Sequence, residues 1–125
     1  MSTETLKYFR DNTLTEKKII IRLITEMGGN LYPYLLYLEN TGKQAEAELI
    51  KDYRKAIFNA RDGYTTDTLT NLNVIVVLDE VFRQLQIQLI MLSQIVGREW
   101  ESSFFTSYMN ELVEFKYLLK PNPES

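Results

Sequence analysis

Apolar side chains at Ile75, Leu78, Phe82, Leu85, Leu89, Leu92 and Val96 are separated by alternating steps of three and four. That period predicts a long helix over residues 68–96 with one continuous apolar seam. Between Asp67 and Arg98 the only charged residues are Asp79, Glu80 and Arg83. A second apolar group, Val74, Val77, Val81, Met91 and Ile95, lies off the seam, so the helix is expected to bury two faces. Residues 73–78 are rich in β-branched side chains and residues 85–89 alternate with period two, which is a strand pattern. Two strands here would need a turn, and residues 79–84 contain no glycine, proline or asparagine. Helix is therefore the expectation.

The remaining periodic segments are bounded by the glycines and prolines. A short turn over residues 4–10 offers Leu6 and Phe9 as anchors. Thr13-Leu14-Thr15-Glu16 has the form of a capping box, followed by a stripe at Ile20, Leu23, Ile24 and Met27 that ends at Gly28-Gly29. Residues 31–40 form a short, mostly apolar helix with Pro33 in its first turn, where a missing N–H costs nothing. Residues 43–61 place Ala45, Leu49, Tyr53, Ala56, Ile57 and Ala60 on one face, with Gly63 as the expected cap. The last helix, residues 101–119, carries Phe105, Tyr108, Met109, Leu112, Phe115 and Leu119, and Pro121 and Pro123 end it. These elements predict an all-α, single-domain bundle of four main helices plus one or two short ones over residues 1–120, with a short polar tail at 121–125.

Composition narrows the functional classes. Apolar residues make up 45% and charged residues 25% of the 125-residue chain, ordinary values for a globular domain. The net charge of −3 comes without a block of like charge, so a dedicated polyanion binder is not expected. Residues 84–97 are uncharged but too few, and too rich in glutamine, to span a bilayer. With no apolar run near Met1, a cytoplasmic location without membrane contact is expected.

The chain has no cysteine and no histidine. Thiolate nucleophiles and Cys/His metal sites are therefore impossible within it. The glycines are isolated or paired at helix ends and form no phosphate loop. A general base would have to be a carboxylate, lysine or tyrosine with a shifted pKa, which a sequence does not display. The expectation is a non-catalytic protein with no metal and no cofactor. Asp79 and Arg83, spaced i, i+4, should form a surface ion pair. Gln84 and Gln88 flank the seam, either as a buried pair that fixes register or as its solvent edge.

Partner readings follow from surplus apolar surface. Two apolar faces on one helix exceed what a small bundle consumes, which predicts self-association or another protein partner. The competing reading is that the other helices cover both faces. Candidate interface residues are Phe82, Leu85, Leu89, Trp100, Phe104, Phe105 and Tyr108, because aromatics anchor interfaces disproportionately. Tyr32, Tyr34 and Tyr37 project around their helix, which makes them candidate exposed aromatics. Lys51, Arg54 and Lys55 are weak candidates for phosphate contacts, interleaved with Glu48 and Asp52; Lys17, Lys18 and Arg22 form a second basic group.

Three local patterns resemble known families. Leu14-Thr15-Glu16 with Ile19, Ile20, Leu23, Ile24 and Gly28-Gly29 resembles the opening of winged-helix regulators, which would imply nucleic-acid binding. Residues 31–38 lack the side chains that read base edges, and no wing hairpin follows. Gly97-Arg98-Glu99 with Phe105, Tyr108-Met109, Leu112-Val113 and Phe115 is similar to the tail of small helical subunits of type III CRISPR effector complexes. Those subunits line a guide RNA through basic faces, whereas this chain is acidic and its upstream spacing differs. Residues 42–56 resemble half of a tetratricopeptide unit, without a repeat. The leading expectation is thus a helical interaction or regulatory protein that self-associates. The alternative is a nucleic-acid-binding regulator.

Overall fold

Five helices fill residues 16–119, the part of the chain that the computed structural model describes. They are α1 (Glu16–Gly29), α2 (Tyr32–Asn40), α3 (Gln44–Thr65), α4 (Asn71–Leu92) and α5 (Glu99–Leu119). Among the described residues there is no strand, and the β-branched stretch at 73–78 is helical. The expected turn at 4–10, the capping residues Thr13 to Thr15 and the tail 121–125 lie outside the described residues.

α1 packs on α3, α3 on α4, α4 on α5, and α5 returns to α1, while short α2 lies against α3. The apolar stripes meet in one core, in which Leu23, Ile24, Met27, Ile50, Ile57, Leu78, Leu85, Phe105, Leu112 and Phe115 are fully buried. Each stripe is the i, i+3/i+4 face of its helix, so burial rather than intrinsic propensity holds the helices. α4 and α5 are fastened at several levels. Asn71 Nδ2 donates to the Leu119 carbonyl at 3.3 Å, and Lys116 pairs with Asp79 while sitting over the Phe82 ring. Across the bundle, the Tyr108 hydroxyl donates to the Met27 carbonyl at 2.7 Å. Burial, with the nearby Glu111 charge, pushes that phenol well above its usual range.

The helix ends depart from the sequence expectation. Gly63 does not end α3; the helix runs on to Thr65 and closes at Asp67, a left-handed residue with φ 62°. The Thr68 and Asp67 N–H groups donate back to the Gly63 and Tyr64 carbonyls at 2.8 and 3.2 Å, the Schellman pattern with aspartate in glycine's usual place. Gly63 is needed for a different reason. A Cβ there would lie 2.7 Å from Leu69 Cγ and Cδ1, so the glycine lets the connecting loop fold onto the helix. Gly42, with φ 76°, does close its helix: the Lys43 and Gly42 N–H groups return to Leu38 and Glu39.

α4 is shorter at both ends than the predicted 68–96. It starts at Thr70, whose hydroxyl accepts from the Asn73 N–H while Asn73 Oδ1 accepts from the Thr70 N–H at 2.9 Å. It stops at Leu92, so Ile95 and Val96 lie in a turn and Val96 is 94% exposed. The expected Asp79–Arg83 pair does not form. Asp79 is taken by Lys116, and Arg83 pairs with Glu80 at 3.6 Å.

Candidate interaction surface

α4 buries only part of its apolar surface. Ile75, Leu78, Leu85 and Leu92 of the predicted seam are buried, as are Val74 and Val81 of the second group; Phe82 and Leu89 pack against the core. The helix turns a different row outward. Leu72, Val76, Ile87, Ile90 and Met91 are each at least half exposed, with Glu80 and Arg83 between the two apolar ends of that row. No helix among the described residues covers this face, because α3 and α5 flank α4 on its inner sides. Exposed Ile95 and Val96 extend the apolar surface past the end of α4, and Leu49 adds to it from α3.

This placement corrects the candidate interface. Leu85, Phe105 and Tyr108 lie in the core, and Phe82, Leu89 and Phe104 are packed against it. Of that group only Trp100 is exposed, at 48%. The outward row escaped the seam analysis because most of its members fall between the strongest three-and-four matches. The signal for it was the excess of apolar residues itself.

The aromatics serve the fold. Tyr34 was a candidate exposed residue but is buried, with ring centroids 5.0 Å from Phe104 and 5.1 Å from Phe105. Tyr37, partly buried, meets Trp100 edge-on at 4.7 Å. Tyr32 is the exposed member of the three, and its ring carries the Arg54 guanidinium at 4.9 Å.

Beneath this cluster lies the polar feature of the interior. Arg98, in the turn before α5, forks to Glu46 of α3 through two bonds of 2.7 and 2.6 Å. It reaches Glu101 of α5 through two more, both 2.6 Å, and the Tyr34 hydroxyl donates to Glu101 Oε1 at 2.7 Å. Glu101 is fully buried. Burial works to raise its carboxyl, but the bonds from Arg98 and Tyr34 outweigh that and hold it below the usual carboxylate range. Burial, and then the same carboxylate, push the Tyr34 phenol up. The network ties α2, α3 and α5 together where the α4–α5 turn arrives. Both of its carboxylates are engaged by Arg98, so it is arranged to hold helices in place.

A cleft of about 130 Å³ opens beside the network, lined by Leu49, Ile50, Met91, Ile95, Glu46 and Gln88 among others. Gln88 Oε1 is enclosed there with no hydrogen-bond partner among the described residues, while Gln84 reaches back to Glu80 at 3.1 Å. The two glutamines therefore do not form a register-fixing pair.

Two of the three candidate phosphate-contacting residues are engaged within the fold. Lys51 pairs with Glu48 at 3.1 Å, whose carboxylate raises the lysine's pKa. Arg54 donates to the Gly28 carbonyl at 3.2 Å and stacks on Tyr32 and Phe58. Lys55 is exposed. On α1, Lys17 is drawn to Asp67 and over the Tyr64 ring. No helix among the described residues is long and apolar enough to cross a membrane. Compared with protein families, with characterised proteins and with solved structures, the chain has no match.

Proposed function

We propose that this chain is a non-catalytic helical interaction protein of a regulatory or accessory kind, which works by self-association through the outer face of α4. The observation that carries this reading is the row Leu72, Val76, Ile87, Ile90 and Met91, exposed on a helix whose other sides form the core. Aliphatic side chains gathered at both ends of one exposed helix face are costly in water and mark a contact surface. A second copy is a natural occupant, because an isologous pair buries the same strip on both molecules.

The alternative, a nucleic-acid-binding regulator, has less support. Of its three candidates, Arg54 is turned onto Gly28, Tyr32 and Phe58 and Lys51 is paired with Glu48, which leaves the exposed Lys55. A cytoplasmic setting belongs to the same proposal, and a chain without cysteine needs no oxidising compartment. Light scattering across a dilution series tests self-association. The mass should climb from 14.7 kDa towards twice that value as concentration rises. A monomer throughout would refute the proposal.

A further inference from the structure

The outer face of α4 reads nearly the same in both directions. Asn73, Val76, Glu80, Arg83, Ile87 and Ile90 follow one another at alternating steps of three and four, the spacing of a shallow helix–helix seam. The apolar residues sit at the ends, and the two opposite charges sit in the middle. From this pattern we infer an antiparallel homodimer, with a two-fold axis crossing α4 between Val81 and Phe82. The inference rests on the self-association reading above and assigns it one register.

In that register Val76 meets the partner's Ile87, and Leu72 meets the partner's Met91. Glu80 meets the partner's Arg83, twice per dimer by symmetry. Within one chain these two side chains are exposed and 3.6 Å apart, a loose contact available for exchange across the axis. A parallel pairing would set glutamate against glutamate and arginine against arginine, so the central charges select the antiparallel arrangement. Antiparallel helix dipoles favour it further.

Side chains of this size offer on the order of 100 Å² each, judged from their transfer energies. Five per protomer on two protomers bury roughly 1,000 Å², at the lower end of specific interfaces. The dimer is therefore expected to be reversible and dependent on concentration.

The natural chain has no cysteine, so introduced thiols report contacts without background. Val76→Cys and Ile87→Cys both fall at exposed positions and leave the core untouched. Mixed under mild oxidation, the two variants should form a disulfide-linked heterodimer. Each alone should not, because in this register residue 76 and its own symmetry mate lie about 16 Å apart along the axis, beyond disulfide reach. A charge test accompanies it. Glu80→Arg and Arg83→Glu should each weaken the dimer about tenfold, and the double exchange should restore it.

Cross-linking of Val76→Cys with itself, without cross-linking to Ile87→Cys, would overturn the register while leaving self-association standing. A chain that remains at 14.7 kDa at every concentration overturns both readings. Loss of dimer in the double exchange, with the fold intact by circular dichroism, would also overturn the register.

Discussion

Replacing Arg98 with methionine isolates a buried charge, Glu101, at the α2–α3–α5 junction. The substitution removes four hydrogen bonds, two to Glu46 and two to Glu101. Glu46 keeps about a third of its side chain in solvent and can rehydrate. Glu101 has no solvent and keeps only the bond from Tyr34. Breaking such a pair by removing one partner costs about 3–5 kcal/mol.

The penalty has a ceiling, because Glu101 can take up a proton instead of staying charged. At pH 7 that costs about 1.36 kcal/mol for each unit above an ordinary glutamate pKa of about 4.3, or roughly 3.7 kcal/mol. At pH 5 the ceiling falls to about 1 kcal/mol by the same arithmetic. Urea unfolding followed by far-ultraviolet circular dichroism should therefore show Arg98→Met less stable by about 3–4 kcal/mol at pH 7. The deficit should shrink to about 1–2 kcal/mol at pH 5, the remainder being lost packing and hydrogen bonds.

The sign is opposite in the natural chain. There the folded pKa of Glu101 is depressed, so its contribution is complete above the ordinary carboxylate range and is lost as pH falls below about 4. Adding Glu101→Gln to Arg98→Met should abolish the recovery at pH 5. A deficit under about 1 kcal/mol at pH 7, or one that does not change with pH, would refute the assignment of Glu101 as a buried charge held by Arg98.

Two further predictions concern single positions. Gln88→Leu removes an enclosed acceptor that has no partner and should raise stability by about 1 kcal/mol, read as a higher urea midpoint at unchanged slope. Gly63→Ala would ordinarily stabilise a helix interior, but its Cβ would strike Leu69; a loss of about 1–2 kcal/mol in thermal unfolding is expected, and a gain would contradict the close approach of the loop.

The inward face of α4 was legible in the sequence, whereas that of α3 was so only in part: Tyr53, Ile57 and Ala60 are buried as expected, but Ala45 and Leu49 are exposed and Ala47 and Ile50 take their place. The α4 seam has no glycine or proline from residue 71 to 92, and its three-and-four spacing survives any choice of neighbour, so Leu78 and Leu85 were core candidates whatever packed on them. Helix ends were harder where the cap was not a glycine. Asp67 and the Thr70–Asn73 box close and open helices through hydrogen bonds that other residue types also form, and Ile95 and Val96 continue the apolar period after the backbone has already turned.

Contacts between distant segments could not be read at all. Glu46 and Arg98 are far apart in the chain, and nothing in their neighbourhoods marks them as partners. The sequence placed its candidate contact residues among the aromatics, most of which the structure buries or packs against the core. Phe105 and Tyr108 are large enough to fill the core, and once they do, the smaller Val76, Ile87 and Ile90 are left outside. That distinction also decides which substitutions are informative. Tyr108→Glu would break the core and the Met27 bond, whereas Ile87→Glu touches only the outer face.

Sedimentation equilibrium of the natural chain beside Ile87→Glu therefore reports on the outer face of α4 alone. The natural chain should approach twice 14.7 kDa as concentration rises, and the variant should remain at 14.7 kDa with unchanged helicity and, at concentrations where the natural chain is also monomeric, an unchanged unfolding midpoint. Equal masses for the two proteins at every concentration would contradict the assignment of the outer face of α4 as the contact surface.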